Sequence, residues 1–472
     1  MTDFFRLDVK TLQKRLRDGD LEPVDLLEHY LARIERLNPT LNALIATDPT
    51  AYEQAQASTK RYRAKKPLGP LDGIPCTIKD NIPMAGLTCT LGSPVFRDYR
   101  PSKDETAVAR LRAAGAVLLG KTNVPEFCVE GYCANALFGV THNPWDTALT
   151  PGGSSGGAVA GVAAGLWPLA IGTDGGGSIR RPAGHTGLVG LKPTIGRVAR
   201  VDLMPQLLLD MEVVGPLARR TADAASLFRA IAGPDRRDPL SRLPAEPGGD
   251  QPLEQAPPAM RILYVERLGE APLAPEIASS LRRTADRLAD LGHDIKEGAL
   301  PLDIEELNQR WTRIGQSGIA TLRAGMGARF APASAPYRAM ANSGDALSAA
   351  DLHGLIAVIQ KLRRDAAACF ETIDIILTPS AAAQPWPAEE RFPDMIDGQE
   401  VGPRGHAIYT GWVNAIGHPA LTLPADPAPD GMPIGAQFVG AWNRDWQLLR
   451  FAQACEQVHP FADRWPTLAL EG

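Results

Sequence analysis

Two clusters of serine and glycine lie close together in the first half of the chain. The first covers residues 152–157 (GGSSGG) and the second covers residues 175–178 (GGGS), and no Asp, Glu, Lys or Arg occurs from Thr147 to Thr173. Glycine loses more backbone entropy on folding than other residues, so dense glycine indicates a sharp turn or a close approach to another group. Serine in both clusters indicates hydroxyl chemistry, and bare N–H groups of consecutive glycines could stabilise negative charge that develops on a reacting oxygen.

A lysine lies upstream of both clusters in a segment that predicts a buried strand. Residues 70–79 (PLDGIPCTIK) end in Lys79, which is 75 residues before Ser154, and Ser154 is 24 residues before Ser178. Burial lowers the pKa of a lysine, and a neutral amine can take a proton from a serine. The plainer alternative is a surface lysine at the point where the strand emerges.

The order and spacing of these motifs resemble the amidase signature family, serine hydrolases that use a Ser–cis-Ser–Lys triad. The matching stretches are KDN at residues 79–81, GGSSGG at 152–157, GTDGGGSIR at 172–180 and GLKPT at 190–194. The resemblance covers residues 20–235 well and residues 370–460 more loosely. It implies that Ser178 is the nucleophile, that Ser154 relays the proton and that Lys79 is the base.

The resemblance also implies how the rest of the site works. A cis peptide is expected between Gly153 and Ser154, and Ser155 is expected to support the site by hydrogen bonding. Asp174 and Arg180 are expected to hold the second cluster by charge-assisted hydrogen bonds. The backbone N–H groups expected to bind the oxyanion are those of Gly175, Gly176, Gly177 and Ser178. Candidates for an apolar substrate pocket are Cys128, Tyr132, Trp311 and Trp412, each of which could equally pack in the core.

Two other motifs point elsewhere, and their contexts argue against them. Residues 153–157 fit G-x-S-x-G, which would make Ser155 the nucleophile of an α/β-hydrolase, but no hydrophobic strand comes before them. Residues 115–122 match the phosphate-binding pattern G-x-x-x-x-G-K-[ST], but a helix precedes them and the supposed loop is an apolar strand. His142 and His185 are near in sequence, and structural hydrogen bonding is the preferred interpretation of both.

Composition narrows the expected partners. The chain has 472 residues and a net charge of −5, which gives no reason to expect nucleic acid or an anionic membrane. Its six cysteines form no CxxC pair or metal-ligand spacing, so neither a metal nor another cofactor is expected. Such cysteines fit a reducing compartment, and no signal peptide is recognised, so we expect a cytoplasmic protein. The uncharged run contains Pro151 and Pro168, which argues against a membrane span.

Alternating strand and helix patterns predict an α/β fold, and the resemblance implies one large domain with a long, twisted mixed sheet covered by helices on both faces. The expected parts are N-terminal helices (1–65), the signature core (66–235), a variable, mostly helical region that shapes the pocket (236–372) and a C-terminal completion of the core (373–472).

The resemblance implies an amidohydrolase that cleaves a carboxylic amide C–N bond. A stand-alone enzyme for a small aryl or apolar amide or hydrazide is the main hypothesis, and a homodimer is included among the expectations. The alternative is the glutaminase subunit of a tRNA-dependent amidotransferase, a branch that has an acid seven residues before the position of Asn414. Here that position is Ala407, and residues 402–413 contain no acid.

Overall fold

The computed structural model describes residues 3–202 and 204–471. Its α-helices are α1 (Val9–Asp18), α2 (Pro23–Leu41), α3 (Ala51–Arg63), α4 (Thr106–Ala113), α5 (Gly156–Ala163), α6 (Arg180–Thr186), α7 (Thr221–Ile231), α8 (Pro275–Asp290), α9 (Glu305–Met326), α10 (Ala335–Asp345), α11 (Ala349–Cys369), α12 (Ile408–Ile416), α13 (Asp445–Val458) and α14 (Thr467–Glu471). Within the described ranges, no helix has both the length and the apolar character needed to cross a membrane.

The strands are β1 (Leu44–Thr47), β2 (Pro75–Lys79), β3 (Val117–Thr122), β4 (Ala134–Asn135), β5 (Gly139–Val140), β6 (Leu169–Asp174), β7 (Val189–Lys192), β8 (Val213–Ala218), β9 (Arg261–Tyr264), β10 (Asp294–Glu297), β11 (Ile375–Pro379), β12 (Met395–Ile396), β13 (Gln399–Glu400), β14 (Ala420–Pro424) and β15 (Gly435–Gly440). In the described part of the chain, 11 of them form one sheet in the order β1-β3-β2-β6-β8-β7-β14-β15-β11-β9-β10. β2 runs parallel to β3 and β6, whereas β8, β7, β14 and β15 pair antiparallel, so the sheet is mixed as predicted.

Helices cover both faces of this sheet. Side chains alternate between faces along a strand, and on β3 Val117 and Leu119 join one hydrophobic cluster whereas Leu118 joins another. The smaller cluster packs against α2, α3 and α5, and the larger one packs against helices that include α1, α7 and α8. The α/β architecture with one large mixed sheet is therefore confirmed.

The parallel pairing of β2 with β6 brings the two halves of the site together. Ile78 on β2 lies opposite Ile171 on β6, so both strands end at the same edge of the sheet. Lys79 is the last residue of β2, and the second serine-glycine cluster follows directly after β6. Two stretches almost 100 residues apart in sequence are thus adjacent because of strand register.

Two predicted elements differ from the structure. Residues 413–424 (VNAIGHPALTLP) resemble a late strand motif of the same family, but in the structure they form the end of α12 and the strand β14. Gly417 caps the helix in the left-handed region with φ 80°, which turns the chain sharply between them. The strand expected over residues 70–79 begins only at Pro75.

The phosphate-loop pattern at residues 115–122 forms a buried strand. Lys121 is fully buried on β3, where its Nζ contacts the Ile82 carbonyl and lies 3.6 Å from Asp80 Oδ1. The second glycine of the pattern, Gly120, is required by the packing of this strand. It has φ 144°, and an added Cβ would lie 1.9 Å from the Ala46 carbonyl oxygen. The lysine is therefore not available to a phosphate.

We predict that Gly120→Ala lowers the free energy of unfolding by about 2–4 kcal/mol, because the backbone of β1 must move away. Gly69→Ala is the matched control: Gly69 has open space and no positive φ, so the change should stay within about 0.5 kcal/mol. Denaturant unfolding of both variants checks this, and Mg-ATP should leave the wild-type midpoint unchanged. Equal midpoints for the two variants would contradict the close approach.

Candidate active site

Lys79 is fully buried and faces the first serine cluster. Its Nζ lies 2.7 Å from Ser154 Oγ, 2.9 Å from Thr173 Oγ1 and 3.2 Å from the Thr173 carbonyl oxygen. Asn81 also donates to Thr173 Oγ1, at 2.8 Å. In the described residues no carboxylate lies within 4.0 Å of this amine, and burial lowers its pKa below 10.5. The buried site thus favours a neutral lysine.

The serine that contacts Lys79 follows a cis peptide, Gly153–Ser154, as the resemblance implies. Gly153 packs tightly, since an added Cβ would lie 2.0 Å from the Tyr132 carbonyl oxygen. The next residue joins the two clusters: the Ser155 N–H donates to the Ser178 carbonyl at 3.2 Å, and the Ser155 hydroxyl donates to the Thr173 carbonyl at 3.3 Å. The Ser155 hydroxyl is therefore engaged in a structural hydrogen bond. Among the described residues no strand directly precedes Ser155, whereas the nucleophile of an α/β-hydrolase follows a strand.

The three glycines before Ser178 are closely surrounded. An added Cβ would lie 2.4 Å from Leu208 at Gly175, 2.9 Å from Trp311 at Gly176 and 2.2 Å from Thr410 Oγ1 at Gly177. Gly177 also has φ 117°, which a larger residue would adopt only under strain. The crowding gives a packing reason for glycine at each position.

The N–H groups of this turn divide into two sets. The N–H groups of Gly175, Gly176 and Ser178 have no hydrogen-bond partner within residues 3–202 and 204–471. By contrast, Gly177 N–H donates to Asp174 Oδ1 at 2.7 Å. This bond occupies one of the donors that the sequence prediction assigned to the oxyanion, so the unoccupied ones are those of the other three residues.

Asp174 and Arg180 form the buried ion pair that the sequence predicts as support. Arg180 Nη2 lies 2.9 Å from Asp174 Oδ1 and Nε lies 3.0 Å from Oδ2, and both side chains are fully buried. The Ile179 N–H also donates to the carboxylate, at 3.1 Å. Burial opposes the charge, but the Arg180 guanidinium and the Asn414 amide hold the pKa of Asp174 far below its usual range.

The same pair connects the turn to the C-terminal part of the chain. Asn414 on α12 donates to the Asp174 carboxylate at 2.9 Å, and Arg180 donates to Gln437 on β15 at 2.6 Å. Arg181 and Thr410 also meet, at 2.9 Å, and both contact the Gly176 carbonyl. The roles of Arg181, Thr410 and Gln437 carry no signal in the sequence motifs, because their partners lie more than 200 residues away in most cases.

The predicted pocket residues lie in different surroundings. Trp311 on α9 packs against Gly176 and Gly411, beside the serine turn. Burial raises the pKa of the Cys128 thiol, and the charge of Lys79 opposes this shift. Tyr132 is half-buried, and its backbone carbonyl faces Gly153. Trp412 is fully buried in the main hydrophobic cluster, which also contains Trp311.

The nearby histidines and possible metal ligands do not form a second catalytic centre. His185 Nε2 pairs with the Ala383 carbonyl at 3.3 Å, and His142 Nδ1 pairs with the Thr147 carbonyl at 2.7 Å. Burial lowers the pKa of His185 to about 4. In the part of the chain that the structure describes, no group of three or more His, Cys, Asp or Glu side chains could hold a metal ion.

Comparison with known proteins agrees with this geometry. The model of the Amidase family matches residues 25–449. The chain belongs to the amidase signature family. A glutamyl-tRNA(Gln) amidotransferase subunit of Symbiobacterium thermophilum is 33% identical, covering 99% of both chains. Among solved structures, 6-aminohexanoate cyclic dimer hydrolase bound to its substrate is 28% identical with a TM-score of 0.89, covering 99% of this chain and 100% of that one. A bacterial aryl acylamidase of this family is 26% identical with a TM-score of 0.90, covering 98% of each chain.

Titration of Lys79 can be tested against a second buried lysine. Lys192, at the end of β7, donates to the Pro193 carbonyl at 2.9 Å, and burial lowers its pKa to about 7. The pKa of each lysine lies below 10.5 in the folded protein. At pH values between the folded pKa and 10.5, the unfolded chain therefore binds more protons than the folded chain. The free energy of unfolding should therefore rise with pH across that window. Replacing either lysine by methionine should make the free energy of unfolding increase less with pH across this window.

We expect activity to separate the two lysines. Lys79→Met and Lys79→Arg should lower kcat/KM by about 10²–10⁴-fold, because neither side chain can take a proton at neutral pH. Lys192→Met should keep the wild-type activity and its pH profile. Rate measurements across pH on any hydrolysed amide, beside denaturation at the same pH values, check both statements. Comparable activity losses in the two methionine variants would contradict the role of Lys79.

Proposed function

We propose that this amidase signature protein hydrolyses a small-molecule amide through an acyl-enzyme on Ser178. The observation that carries the proposal is the fully buried Lys79 amine, 2.7 Å from Ser154 Oγ and without a carboxylate partner among the described residues. A structural lysine of this kind would normally pair with an acid. A buried lysine without an acidic partner is suited to accept a proton.

The hydrogen bonds around Lys79 favour this direction of transfer. A neutral amine has two N–H donors and one lone pair. The Thr173 carbonyl oxygen can only accept a hydrogen bond from the amine. Thr173 Oγ1 also lies within hydrogen-bond distance of Lys79 Nζ and can accept a second one. If both N–H groups point to Thr173, the lone pair faces the Ser154 hydroxyl. The proton of Ser154 can then pass to Lys79.

Acylation follows from that transfer. Ser178 Oγ attacks the amide carbonyl carbon and gives its proton to Ser154 Oγ, which passes its own proton to Lys79 Nζ. The C–O bond that forms places negative charge on the former carbonyl oxygen. The unoccupied N–H groups of Gly175, Gly176 and Ser178 would stabilise that charge. The proton then returns through Ser154 to the leaving nitrogen as the C–N bond breaks.

Deacylation repeats the sequence with water in place of the amine. Water gives a proton through Ser154 to Lys79 as its oxygen bonds to the acyl carbon. The ester C–O bond then breaks, and Ser178 recovers its proton by the same path. The acid product leaves, and no other co-reactant is required.

A stand-alone enzyme is favoured by the charges near the turn. Glutamine carries an ammonium group that an amidotransferase subunit must bind, and residues 402–413 contain no acid. Two acids in this region already have partners: Glu212, which lies against Gly175, pairs with Arg200 at 2.7 Å, and Glu130 pairs with Arg391. Trp311, from the segment expected to shape the pocket, adds an aromatic surface that suits an aryl or hydrazide substrate.

The glutaminase subunit of a tRNA-dependent amidotransferase is the second candidate. The specific observation in its favour is the 33% identity over 99% of both chains to a glutamyl-tRNA(Gln) amidotransferase component. If this candidate is right, the protein should release ammonium from glutamine and co-purify with partner subunits. We expect neither, and we expect turnover of aryl amides by the isolated chain.

Labelling with a fluorophosphonate probe tests the nucleophile directly. The intact chain should carry the label on Ser178, and Ser178→Ala should lose both the label and at least about 10³-fold of the activity. Ser226→Ala is the control, because that hydroxyl donates only to the Ala222 carbonyl within its own helix. Peptide mapping that places the label on Ser155 would overturn the mechanism.

A further inference from the structure

Arg404 is a cation beside the serine turn that packs on an aromatic ring. Its guanidinium carbon lies 4.5 Å from the centre of the Trp311 ring, and Trp311 packs against Gly176. Across residues 3–202 and 204–471, its side chain makes no hydrogen bond and no ion pair. Burial, with the nearby Arg181 adding to it, lowers its pKa to about 9, so it stays charged at neutral pH. Arg404 is half-buried, so its guanidinium can bind a group that enters beside the turn.

His406, two residues later, is a second unpartnered polar group at the same place. It is 3% exposed, and both ring nitrogens lack a hydrogen-bond partner among the described residues. Its ring packs on Trp386 at 4.8 Å and lies against Gly131, where an added Cβ would be 2.1 Å from Nε2. Burial and then the charges of Arg181 and Arg404 hold its pKa well below 6.5, so it is a neutral donor and acceptor.

The other arginines near the turn already have partners, whereas Arg404 has no hydrogen bond or ion pair among the described residues. Arg180 is neutralised by Asp174, and Arg181 is bound to the Gly176 carbonyl and to Thr410. Within the described ranges, Arg404 contacts the face of an aromatic ring and makes no hydrogen bond, which leaves its planar N–H donors free. A guanidinium in this state matches the two oxygens of a carboxylate.

We propose that Arg404, lying on Trp311, binds a carboxylate of the substrate, so that the preferred substrates are amides that also carry an acidic group. This inference rests on the proposed hydrolysis at Ser178 and refines its expected substrate from apolar to anionic. His406 would donate a further hydrogen bond to the same group. Arg404 is thus a specificity-determining residue and takes no part in the proton transfers.

Protection of Ser178 from the fluorophosphonate probe tests the proposal without requiring turnover. Succinamate and butyramide have the same length and differ in a carboxylate replacing a methyl group. Succinamate should slow labelling of the wild type at a concentration about 10- to 100-fold lower than butyramide, the range expected for a charge-assisted bidentate pair. The same ratio should appear in kcat/KM for succinyl and butyryl 4-nitroanilides.

Arg404→Met should remove this preference and leave the protection by butyramide within about threefold of wild type. Arg404→Lys should keep part of the preference, because it retains the charge but not the planar fork. Arg363→Met is the matched control, since Arg363 already pairs with Asp210 at 2.8 Å and donates to the Ala415 carbonyl. The control should keep the wild-type ratio.

The outcomes separate this inference from the proposed function. Equal protection by the acid and the neutral amide, or a preference that persists in Arg404→Met, would overturn the inference while labelling of Ser178 still supported hydrolysis. If Ser178 is not labelled at all, the proposed function fails. Calorimetric binding of succinamate to the wild type and to Arg404→Met would then still decide the role of Arg404, and undetectable binding to the wild type would overturn it.

Discussion

The fully buried ion pair between Asp174 and Arg180 is the interaction on which the rest of the site depends. An ionised carboxylate removed from water is stable only when it is paired and hydrogen-bonded. Asp174 meets this requirement with N–H groups of the turn that carries Ser178, so satisfying the carboxylate fixes the shape of that turn. Arg180 and Asn414 extend the network to α12 and β15. The turn is therefore complete only when the C-terminal part has docked on the sheet.

Two buried lysines on neighbouring parallel strands, Lys79 and Lys121, differ in the groups that surround the amine. Lys121 has Asp80 within 3.6 Å and contacts a backbone carbonyl, which suits a structural cation. Lys79 has only hydroxyl and carbonyl oxygens around it, so burial lowers its pKa without an acid to oppose the shift at close range. The sheet provides burial for both lysines, and only Lys121 has an acid within 4.0 Å among the described residues.

Sequence reasoning predicts the parts of the site that are local in the chain. The strand that ends in Lys79, the cis peptide before Ser154 and the glycine turn before Ser178 follow from motifs of a few residues each. Contacts across the fold do not follow in this way. No pattern indicates that Trp311 would lie on Gly176, or that Asp174 would occupy the Gly177 N–H. The sequence also does not show that Trp412 is fully buried in the same hydrophobic cluster as Trp311.

The crowding of the glycine turn makes catalysis and substrate choice depend on the same contacts. Gly176 faces Trp311, and Gly177 faces Thr410, so the groups that would bind the oxyanion lie directly against the wall that would meet the substrate. That wall comes from α9 and from residues 404–411, far from the serines in sequence. A change of charge in this wall, for example at Arg404, would leave the buried ion pair that holds the turn in place. A larger side chain in this wall would instead displace the glycine turn, because the wall and the turn are in direct contact.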